Sequence, residues 1–576
     1  MLVIFFTLSF FALGSFAGAP SNSSGCLCTY ENPCWPTPDQ FAELESQVSQ
    51  PLIYPVPTAS ACYPANDPSG NCTQVMERWT DGNWRSSIPG SMAEPNFESF
   101  VFKNGTISAC YLNTSLGAPC EQGSVPVIGV DARTPQDIQA AVNFALRYSL
   151  KLVGHWRIIR HDYLGRSTGR GAFVVWTHKM KNITYDAEFA PEGAPANETY
   201  QAMTVGSGVQ WHEAYDVANQ NGRMMVGAQD PDGSVGAGGG WFQGGGHSSL
   251  SPSYGLGVDN VVQLTVVTST GAHLTVNNYQ YPDLFWALRG GGGGTYGIVT
   301  SVTYRTYQQL PVVLYFMQAN VTNTTVMKEL IGGMLRLQPN LTDDGWSGYG
   351  FFVNTSATFI GMNPGISTAA ANASTQPLTD YWLSLESKGI SLEIEISPFD
   401  TWYAWHTWFQ QLFSTTGEDG TNMMVTSRLL SRDILTNQYA DVAEILSDCQ
   451  GEVNMVAGGK VAQISPDSAG LNPAWRNAIV ETVCGVFWAE GATAEEISGQ
   501  IDQLKVWIKD MYALTPQAGA YFNEASLFEI DWQYTFFGSH YGKLKEIKDK
   551  YDPYRLFVVA EGVGSEEWNE ELTCRW

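Results

Sequence analysis

The sequence predicts an α+β protein with more than one domain. From Val125 onward, segments with the pattern of strands alternate with segments that have the pattern of helices. Residues 308–510 form a separate block of aromatic-rich strands and amphipathic helices. A chain of 576 residues is also longer than a single hydrophobic core usually serves. We therefore expect at least two folded units.

Residues 1–19 are predicted to be a signal peptide. Residues 2–17 are apolar, run into small residues and are fewer than a membrane span needs, so an uncleaved anchor is the weaker alternative. Secretion predicts glycosylation, and Asn-X-Ser/Thr sequons are frequent up to Asn372. The expected location is extracellular.

Residues 20–120 are rich in Pro, Ser, Asn and Cys, which predicts a disulfide-rich N-terminal extension. The chain has 10 cysteines, seven of them before residue 121, so full pairing needs a bridge between the two ends of the sequence. We predict a pair between Cys449 and Cys484, and a pair between Cys574 and an early cysteine. No histidine or cysteine cluster has the spacing of metal ligands, so we predict no metal.

The net charge of −26, with only 30 basic residues, argues against anionic partners, because these bind to positively charged protein surfaces. We therefore expect neither nucleic acid nor a membrane as partner.

Residues 121–307 are predicted to form one domain. Residues 125–131 have a strand pattern, Thr134 is a helix N-cap, and Pro135 is the first residue of that helix. Further strands are predicted at 151–153, 172–177, 203–205 and 298–304, helices at 211–219 and 283–289, and a hairpin at 261–267 and 272–276.

The second unit, residues 308–510, has predicted strands at 312–319, 348–361 and 390–396. Glu393 and Glu395 alternate with apolar residues in the last of these strands, so both should point to one face. A helix is predicted to begin at Thr493, which forms a capping box with Glu496. Residues 511–576 follow as a C-terminal segment.

Two glycine-rich stretches differ in meaning. Residues 290–297 contain Gly-x-Gly-x-x-Gly, but a helix precedes them and a strand follows, which is the reverse of a dinucleotide-binding fingerprint. Residues 233–247 offer backbone N–H groups to a phosphate or a flat ring without interference from a Cβ. Trp241 and Phe242 lie within this stretch and argue against the alternative of a flexible linker.

Several motifs together resemble a known family. VIGVDARTPQDIQAAV from Val127, HDYLGRSTG from His161, GGGHSSLSPSYGLGVD from Gly244 and DLFWALRGGGGGTYGIV from Asp283 are similar to the FAD-binding PCMH-type domain of the vanillyl-alcohol oxidase superfamily. YFNEA from Tyr521 and YDPYRLF from Tyr551 resemble the C-terminal segment of berberine-bridge-enzyme-like oxidases. Secreted fungal FAD-linked oxidoreductases are the subgroup that the chain resembles most.

The resemblance implies a two-lobed PCMH-type FAD-binding domain, with residues 308–510 as a second α+β domain whose antiparallel sheet roofs the flavin. Residues 511–576 would return to the FAD domain. The resemblance also implies a single covalent link from FAD to His161, because the stretch that carries a second, cysteinyl link in some relatives reads Asp232-Gly-Ser-Val-Gly236 here. The implied cofactor-binding residues are Arg160, His161, Asp162, Val235, Gly236, Gly239, Gly240, Gly244, Gly245, His247, Ile298, Val299 and Asn523.

The residues just before His161 depart from the pattern of the family. Arg160 stands where relatives have glycine, and the lead-in is about two residues longer by the family comparison. Three explanations stay open: a mis-joined exon around residues 154–160, an arginine that binds the pyrophosphate, or a damaged cofactor site. Transcript sequencing across these codons would decide among them.

The implied activity is transfer of a hydride from an alcohol, a sugar or a secondary metabolite to FAD, with O2 as acceptor and H2O2 as product. Glu524 is the expected catalytic base, with Tyr521 and Asn523 beside it, and Glu393 and Glu395 are further carboxylates on the roof. His178, His406 and His540 are expected to be structural. Alternatives are a dehydrogenase with another acceptor and a secreted glycoprotein that has lost flavin. A monomer is expected.

Overall fold

The computed structural model describes residues 25–155, 162–229, 233–413 and 419–576. The predicted signal peptide, His161, Arg160 and Asp232 lie outside the described residues. Within them the protein is α+β, as predicted, with mixed and antiparallel sheets in its first part and one large antiparallel sheet in its second. No helix in these four ranges is both long enough and apolar enough to cross a membrane.

The N-terminal extension has little regular structure. Its disulfides join Cys28 to Cys34, Cys62 to Cys72 and Cys110 to Cys120, while Cys26 pairs with Cys574. The predicted pair of Cys449 with Cys484 is also present. The helices and strands of the extension are α1 (Pro38–Glu45), β1 (Leu52–Ile53), α2 (Cys72–Glu77), α3 (Gly82–Ser86), β2 (Phe100–Val101) and β3 (Ile107–Ser108).

The first lobe is a small sheet covered by one helix. It comprises β4 (Ile128–Asp131), α4 (Pro135–Tyr148), β5 (Leu152–His155) and β6 (Phe173–Trp176), and the sheet order is β1-β4-β6-β5. Strands β4, β5 and β6 are parallel, and β1 is antiparallel to β4. Helix α4 begins at the predicted N-cap, where Thr134 and Asp137 form a capping box.

The second lobe is an antiparallel sheet of order β11-β10-β12-β8-β7 with helices around it. The predicted hairpin is confirmed, with Leu264 opposite Val276. The elements of this lobe are β7 (Ile183–Phe189), β8 (Tyr200–Gly206), α5 (Trp211–Gln220), β9 (Arg223–Met224), α6 (Gly240–Gly244), α7 (Ser251–Tyr254), α8 (Gly257–Asn260), β10 (Val261–Val267), β11 (His273–Val276), α9 (Pro282–Leu288), β12 (Ile298–Arg305) and β13 (Tyr307–Gln308).

The second unit is built on an antiparallel sheet that has seven strands in the described ranges, in the order β17-β14-β16-β15-β19-β20-β18. Its elements are β14 (Val312–Asn320), α10 (Thr324–Asp343), β15 (Ser347–Val353), β16 (Ser356–Pro364), α11 (Thr368–Ser384), β17 (Ser391–Phe399), α12 (Trp402–Phe413), β18 (Asn422–Ser431), α13 (Arg432–Asn437), α14 (Tyr439–Cys449), β19 (Glu452–Met455), α15 (Gly459–Gln463), β20 (Ala478–Trp488) and α16 (Ala494–Leu514).

The prediction of one strand over residues 348–361 is wrong, because the chain turns back in the middle of this range. Strands β15 and β16 form a hairpin in which Gly348 lies opposite Gly361. Asn354 takes a positive φ of 54° at the turn, a conformation that asparagine tolerates better than most residues. Apolar residues flank the turn on both sides, so the hydrophobic pattern of the sequence looks like that of one continuous strand.

The two faces of this seven-stranded sheet pack against different partners. On one face, Tyr315 and Met317 share a core with helix residues such as Leu330, Trp382 and Leu504. On the other face, side chains of the sheet join the core of the second lobe, among them Leu314, Tyr349, Ile360 and Leu429. This face thus roofs the second lobe, as the resemblance implied.

The C-terminal segment packs back against the second lobe. Tyr521, Phe522, Phe536 and Leu544 share the core of that lobe with Trp286 and Tyr296. Its helices are α17 (Trp532–Phe537) and α18 (Tyr541–Tyr551). Residues 521–524, here called the 521–524 loop, lie between residues 233–247, here called the glycine-rich segment, and the seven-stranded sheet.

Candidate active site

The glycine-rich segment is ordered around buried aromatic rings. Helix α6 occupies its centre, and Trp241 and Phe242 are buried. A Cβ at Gly246 would lie 2.9 Å from the Trp241 ring, and a Cβ at Gly257 would lie 2.4 Å from it. The glycines therefore let the chain fold closely over this indole, and the alternative of a flexible linker is wrong.

The 521–524 loop is fixed to this segment through Asn523. Its Nδ2 donates to the carbonyl oxygens of Gly240 and Trp241, both at 3.3 Å, and to Tyr521 Oη at 2.9 Å. A Cβ at Gly244 would approach Asn523 Oδ1 to 2.6 Å, so this position has no room for a side chain. Three residues predicted to bind the cofactor, Gly240, Gly244 and Asn523, thus lie together.

His247 joins the same group through two carboxylates. Its Nε2 lies 3.1 Å from Glu524 Oε1 and 3.6 Å from Glu481 Oε2. The Tyr521 ring packs edge-on against the imidazole at a centroid distance of 5.2 Å. Glu481 and Glu524 are both buried. The predicted residues Glu524, Tyr521 and His247 therefore meet, and Glu481, which was not among the predicted site residues, joins them.

Glu481 belongs to a row of polar side chains on the roof. Asn454 on β19 is the cross-strand partner of both Tyr349 on β15 and Glu481 on β20. Burial raises the pKa of Glu481 well above its usual range, and the nearby Glu524 and Glu452 raise it further. Burial also raises the pKa of Tyr349 and of Tyr521. Burial therefore disfavours the charged form of each of these three side chains.

Asp162 holds the backbone that follows it in the chain. Its carboxylate accepts the backbone N–H groups of Arg166 at 2.9 Å and Ser167 at 2.8 Å. Arg166 in turn donates from Nη1 to the carbonyl oxygen of Phe522 at 2.5 Å, and its guanidinium lies 3.5 Å from the centroid of that ring. Burial lowers the pKa of Arg166 to about 10, so this side chain remains a cation. Arg166, which the sequence did not single out, ties the chain beyond His161 to the 521–524 loop.

The remaining predicted cofactor residues are buried around the second lobe. The carbonyl of Val235 accepts the Trp211 N–H at 3.1 Å, and Gly236 forms a bridge with Gln210. Ile298 and Val299 begin β12, and their side chains enter the cores of the first and second lobes respectively. Other predicted cofactor positions lie in or beside α6, with Gly239 as its N-cap and Gly245 as its C-cap at φ 136°.

The positions from Gly240 through Gly293 and Thr295 to Arg166 are here called the track, and they fit an extended polar cofactor. A Cβ at Gly240 would meet no heavy atom within 4 Å, and one at Gly293 would approach only Gly240 at 3.4 Å and Gln243 at 4.0 Å. Thr295 comes two residues after Gly293. A Cβ added at Gly562 would lie 3.4 Å from Thr295 Oγ1. Arg166 Nε donates to the carbonyl of Ala560 at 2.8 Å, so the track reaches the chain beyond His161.

Buried polar atoms along this track have unused hydrogen-bonding capacity. Among the described residues no protein partner is found for Gln243 Oε1, Thr295 Oγ1 or Arg166 Nη2. Buried polar groups normally find partners, so a ligand with matching donors and acceptors suits these atoms. The residues present therefore fit FAD. Residues 290–297 contribute to this track without being a dinucleotide fingerprint.

The other titratable residues named from the sequence lie elsewhere. Burial lowers the pKa of His406 to about 3, and its ring stacks on Trp402. His540 Nδ1 contacts the carbonyl of Leu471 at 2.9 Å, and His178 stacks on Trp176. These contacts agree with structural roles. Glu393 and Glu395 share an exposed face of the edge strand β17, as the alternation predicted.

Comparisons with known proteins agree with this architecture. A profile described as FAD binding domain matches residues 126–277, and one described as berberine and berberine like matches residues 520–564. An uncharacterized FAD-linked oxidoreductase of Arthroderma benhamiae is 36% identical over 589 residues, covering 98% of each chain. The crystal structure of the VAO-type flavoprotein MtVAO615 from Myceliophthora thermophila C1 superposes with a TM-score of 0.85 at 29% identity, over 96% of this chain and 100% of that one.

A more distant structure shares the fold alone. Glucooligosaccharide oxidase from Acremonium strictum, described with a 6-S-cysteinyl, 8α-N1-histidyl FAD, gives a TM-score of 0.60 at 17% identity, over 76% of this chain and 92% of that one. The two-lobed fold with a second α+β domain is thus found in relatives near and far.

Proposed function

The chain belongs to the FAD-linked oxidoreductases of the vanillyl-alcohol oxidase and berberine-bridge type, and on this premise we propose that it is a secreted oxidase. It transfers a hydride from a small organic alcohol, sugar or secondary metabolite to FAD and passes the electrons to O2. One observation carries the proposal. The buried carboxylate of Glu524 contacts His247 where the glycine-rich segment meets the 521–524 loop.

The chemistry divides between cofactor and protein. FAD, when bound, would supply the acceptor for the hydride and the redox chemistry with O2. Glu524 takes the proton of the substrate hydroxyl while the adjacent C–H bond breaks, so that the C–O single bond becomes a carbonyl. His247 Nε2 orients this carboxylate, and the Tyr521 ring packs against the imidazole. Asn523 holds the loop against α6.

Exchange of Glu524 for glutamine tests this role. Glutamine keeps the shape and can accept from His247, but it cannot take a proton, so Glu524→Gln should slow anaerobic flavin reduction by about 100-fold or more. Glu529→Gln is the matched control, because Glu529 is also a buried carboxylate of the C-terminal segment and lies against Thr426. Equal rates in Glu524→Gln and the wild type would remove Glu524 from the mechanism.

We infer that FAD is linked covalently to His161 and to no second residue. The resemblance supports both parts of this inference, whereas the FAD described for the oxidase from Acremonium strictum, which carries a cysteinyl as well as a histidyl link, supports only the histidyl one. Acid-precipitated wild-type protein should retain the flavin, whereas His161→Ala should release it. His273→Ala serves as control, since this histidine is exposed on β11. A flavin that leaves the wild-type protein on acid treatment excludes the covalent link.

The choice of O2 as acceptor separates the oxidase from a dehydrogenase. Stopped-flow mixing of the reduced protein with aerated buffer should give rapid reoxidation and one H2O2 per flavin. Slow reoxidation in air, with rapid reoxidation by a quinone or a dye, would favour the dehydrogenase. A colourless purified protein would favour the third alternative, a glycoprotein that has lost flavin.

Secretion is supported by the disulfides, which persist in oxidising compartments. Expression of the full sequence in a secretory host should yield protein in the medium, cleaved near residue 19 and reduced in mass by an N-glycosidase. We also propose a monomer, which size-exclusion chromatography with light scattering measures directly. Retention of reduced, unglycosylated protein inside the cell would contradict secretion.

A further inference from the structure

We propose that Glu481 and Glu524 form a pair that holds a single proton at rest, with Glu481 as the carboxylic acid and Glu524 as the carboxylate. This inference deepens the proposed function, on which its catalytic consequence rests. It assigns to Glu481 the part of a positioning residue that keeps the base ionised.

The geometry brings the two carboxyl groups into one cluster. An oxygen of Glu481, an oxygen of Glu524 and a nitrogen of His247 all lie within 4.8 Å of one another. The Glu481 side chain is 0% exposed and that of Glu524 is 6% exposed. Two carboxylates this close in a low-dielectric site repel each other strongly, so one of them retains a proton.

The groups that face Glu481 come from three strands of the roof and from two other segments, one in the second lobe and one in the C-terminal segment. Tyr349 approaches from β15, and Glu452 and Asn454 come from β19. His247 follows α6, Tyr521 and Glu524 belong to the 521–524 loop, and Ser427 is on β18. Among the residues that the structure describes, no lysine or arginine forms an ion pair with Glu481. Its surroundings are therefore neutral or acidic, apart from the imidazole.

The proton belongs on Glu481 for two geometric reasons. Glu481 lies on β20, the strand between β18 and β19, and its side chain is fully shielded from water. His247 Nε2 is nearer to Glu524, at 3.1 Å, than to Glu481, at 3.6 Å. A neutral imidazole that donates from Nε2 stabilises the carboxylate it contacts, so the negative charge resides on Glu524.

The consequence for turnover is a balanced count of protons. The pair carries one proton before the reaction and two after it, since Glu524 has taken the hydroxyl proton of the substrate. H2O2 then receives both substrate hydrogens, one that left as hydride and one that Glu524 returns. If Glu481 were the ionised member, the single proton would reside on Glu524, and Glu524 could not take the hydroxyl proton of the substrate.

Flavin reduction by substrate separates the two roles. Glu481→Gln imitates the protonated acid, so we expect its rate to stay within about tenfold of that of the wild type, against a loss of about 100-fold or more in Glu524→Gln. The rate of the wild type should depend on two ionisations, and Glu481→Gln should lack the one at higher pH. The reverse order of the two variants, or the same pH profile in Glu481→Gln and the wild type, overturns the assignment.

Infrared spectroscopy tests the pair without substrate or flavin. The difference spectrum between the wild type and Glu481→Gln at pH 7 should contain the C=O band of one carboxylic acid, shifted in D2O. Exposed Glu566→Gln should give no such band. Absence of the band overturns the proposal, and so does a stoichiometric divalent metal in the purified protein. A colourless protein would end the proposed function while leaving this test intact.

Discussion

Gly244 is a single residue on which the packing of the site depends. A Cβ there would lie 2.8 Å from Cγ of Asn523 as well as 2.6 Å from its Oδ1. Asn523 binds α6 and Tyr521 through its Nδ2, so Gly244→Ala should displace the 521–524 loop. We expect a lower ratio of flavin to protein and a kcat/KM reduced by about tenfold to 100-fold, measured by absorbance and steady-state kinetics.

Gly499→Ala provides the control for this substitution. Gly499 lies exposed on α16, and a Cβ there would meet nothing within 4 Å. Its exchange should leave flavin content and kinetics unchanged and should slightly stabilise the helix. Normal flavin content and rate in Gly244→Ala would show that the loop tolerates the displacement.

Sequence reasoning at the residue scale identifies side chains but not their neighbours. Glu524, Tyr521 and His247 are recognisable because each follows a motif of the family. Glu481 is the one charged residue of β20, and that was the only available signal in the sequence. Its approach to His247 depends on the order of β18, β19 and β20 and on the return of the C-terminal segment, neither of which a local pattern encodes.

Among the elements, α4 depends on Asp137 for its attachment to the N-terminal extension. The Asp137 carboxylate accepts from the backbone N–H of Ser49 at 2.7 Å and of Arg133 at 2.9 Å, and it completes the capping box with Thr134. Burial alone would raise the pKa of Asp137, but the hydrogen bonds outweigh it and hold that pKa below its usual value.

Asp137→Asn should therefore destabilise the protein by about 2 kcal/mol at pH 7, because a charge-assisted acceptor is lost. A pKa depressed in the folded state means that this stabilisation is present above the unfolded value of 3.8 and is lost as pH falls through the folded value. Urea unfolding at pH 7 and pH 3 should show the difference shrinking in acid. Thr134→Ala, which removes only the cap of the helix, should cost about 1 kcal/mol.

Glu529 links the C-terminal segment to β18 and should behave in the opposite sense. Its Oε1 accepts from Thr426 Oγ1 at 2.6 Å, and burial raises its pKa to about 7. Because the folded pKa exceeds the unfolded value of 4.5, the contribution is full below pH 4.5 and is lost as pH rises through 7.

Glu529→Gln should consequently be more stable than the wild type by about 3 kcal/mol at pH 8 and nearly equal to it at pH 4.5. Denaturant unfolding across this range measures the crossover. A variant that is less stable at pH 8 would show that the ionised carboxylate finds compensation in the folded state.

At the scale of elements, the spacing of apolar residues predicts helices and strands correctly where capping or turn residues mark their ends. Helix α4, the hairpin β10–β11 and the capping box of α16 all follow the sequence pattern. The hairpin of β15 and β16 was not predicted, because its turn contains no glycine or proline that would mark it in the sequence. The sheet order of the roof could not be predicted, since strand pairing is set by contacts distant in sequence.

For the whole molecule, the disulfide between Cys26 and Cys574 closes a loop with a sequence separation of 548. Constraint of the unfolded chain grows with loop length, so loss of this bridge should cost about 3–5 kcal/mol. Cys26→Ser with Cys574→Ser should lower Tm more than Cys62→Ser with Cys72→Ser, whose separation is 10. Calorimetry compares the two double variants directly. A smaller loss from the longer loop would mean that its ends separate locally without affecting global unfolding.

The same bridge sets a schedule for biosynthesis. Cys26 leaves the ribosome 548 residues before its partner exists, an interval on the order of a minute at usual elongation rates. Cys28 and Cys34, which pair with each other, emerge within a few residues of it and are available as wrong partners throughout that wait. Thiol exchange operates on the scale of seconds to hours. We therefore expect correct pairing to need thiol exchange that keeps Cys26 available until Cys574 arrives, and oxidation of the nascent chain without an isomerase should yield a product mispaired at its N-terminus.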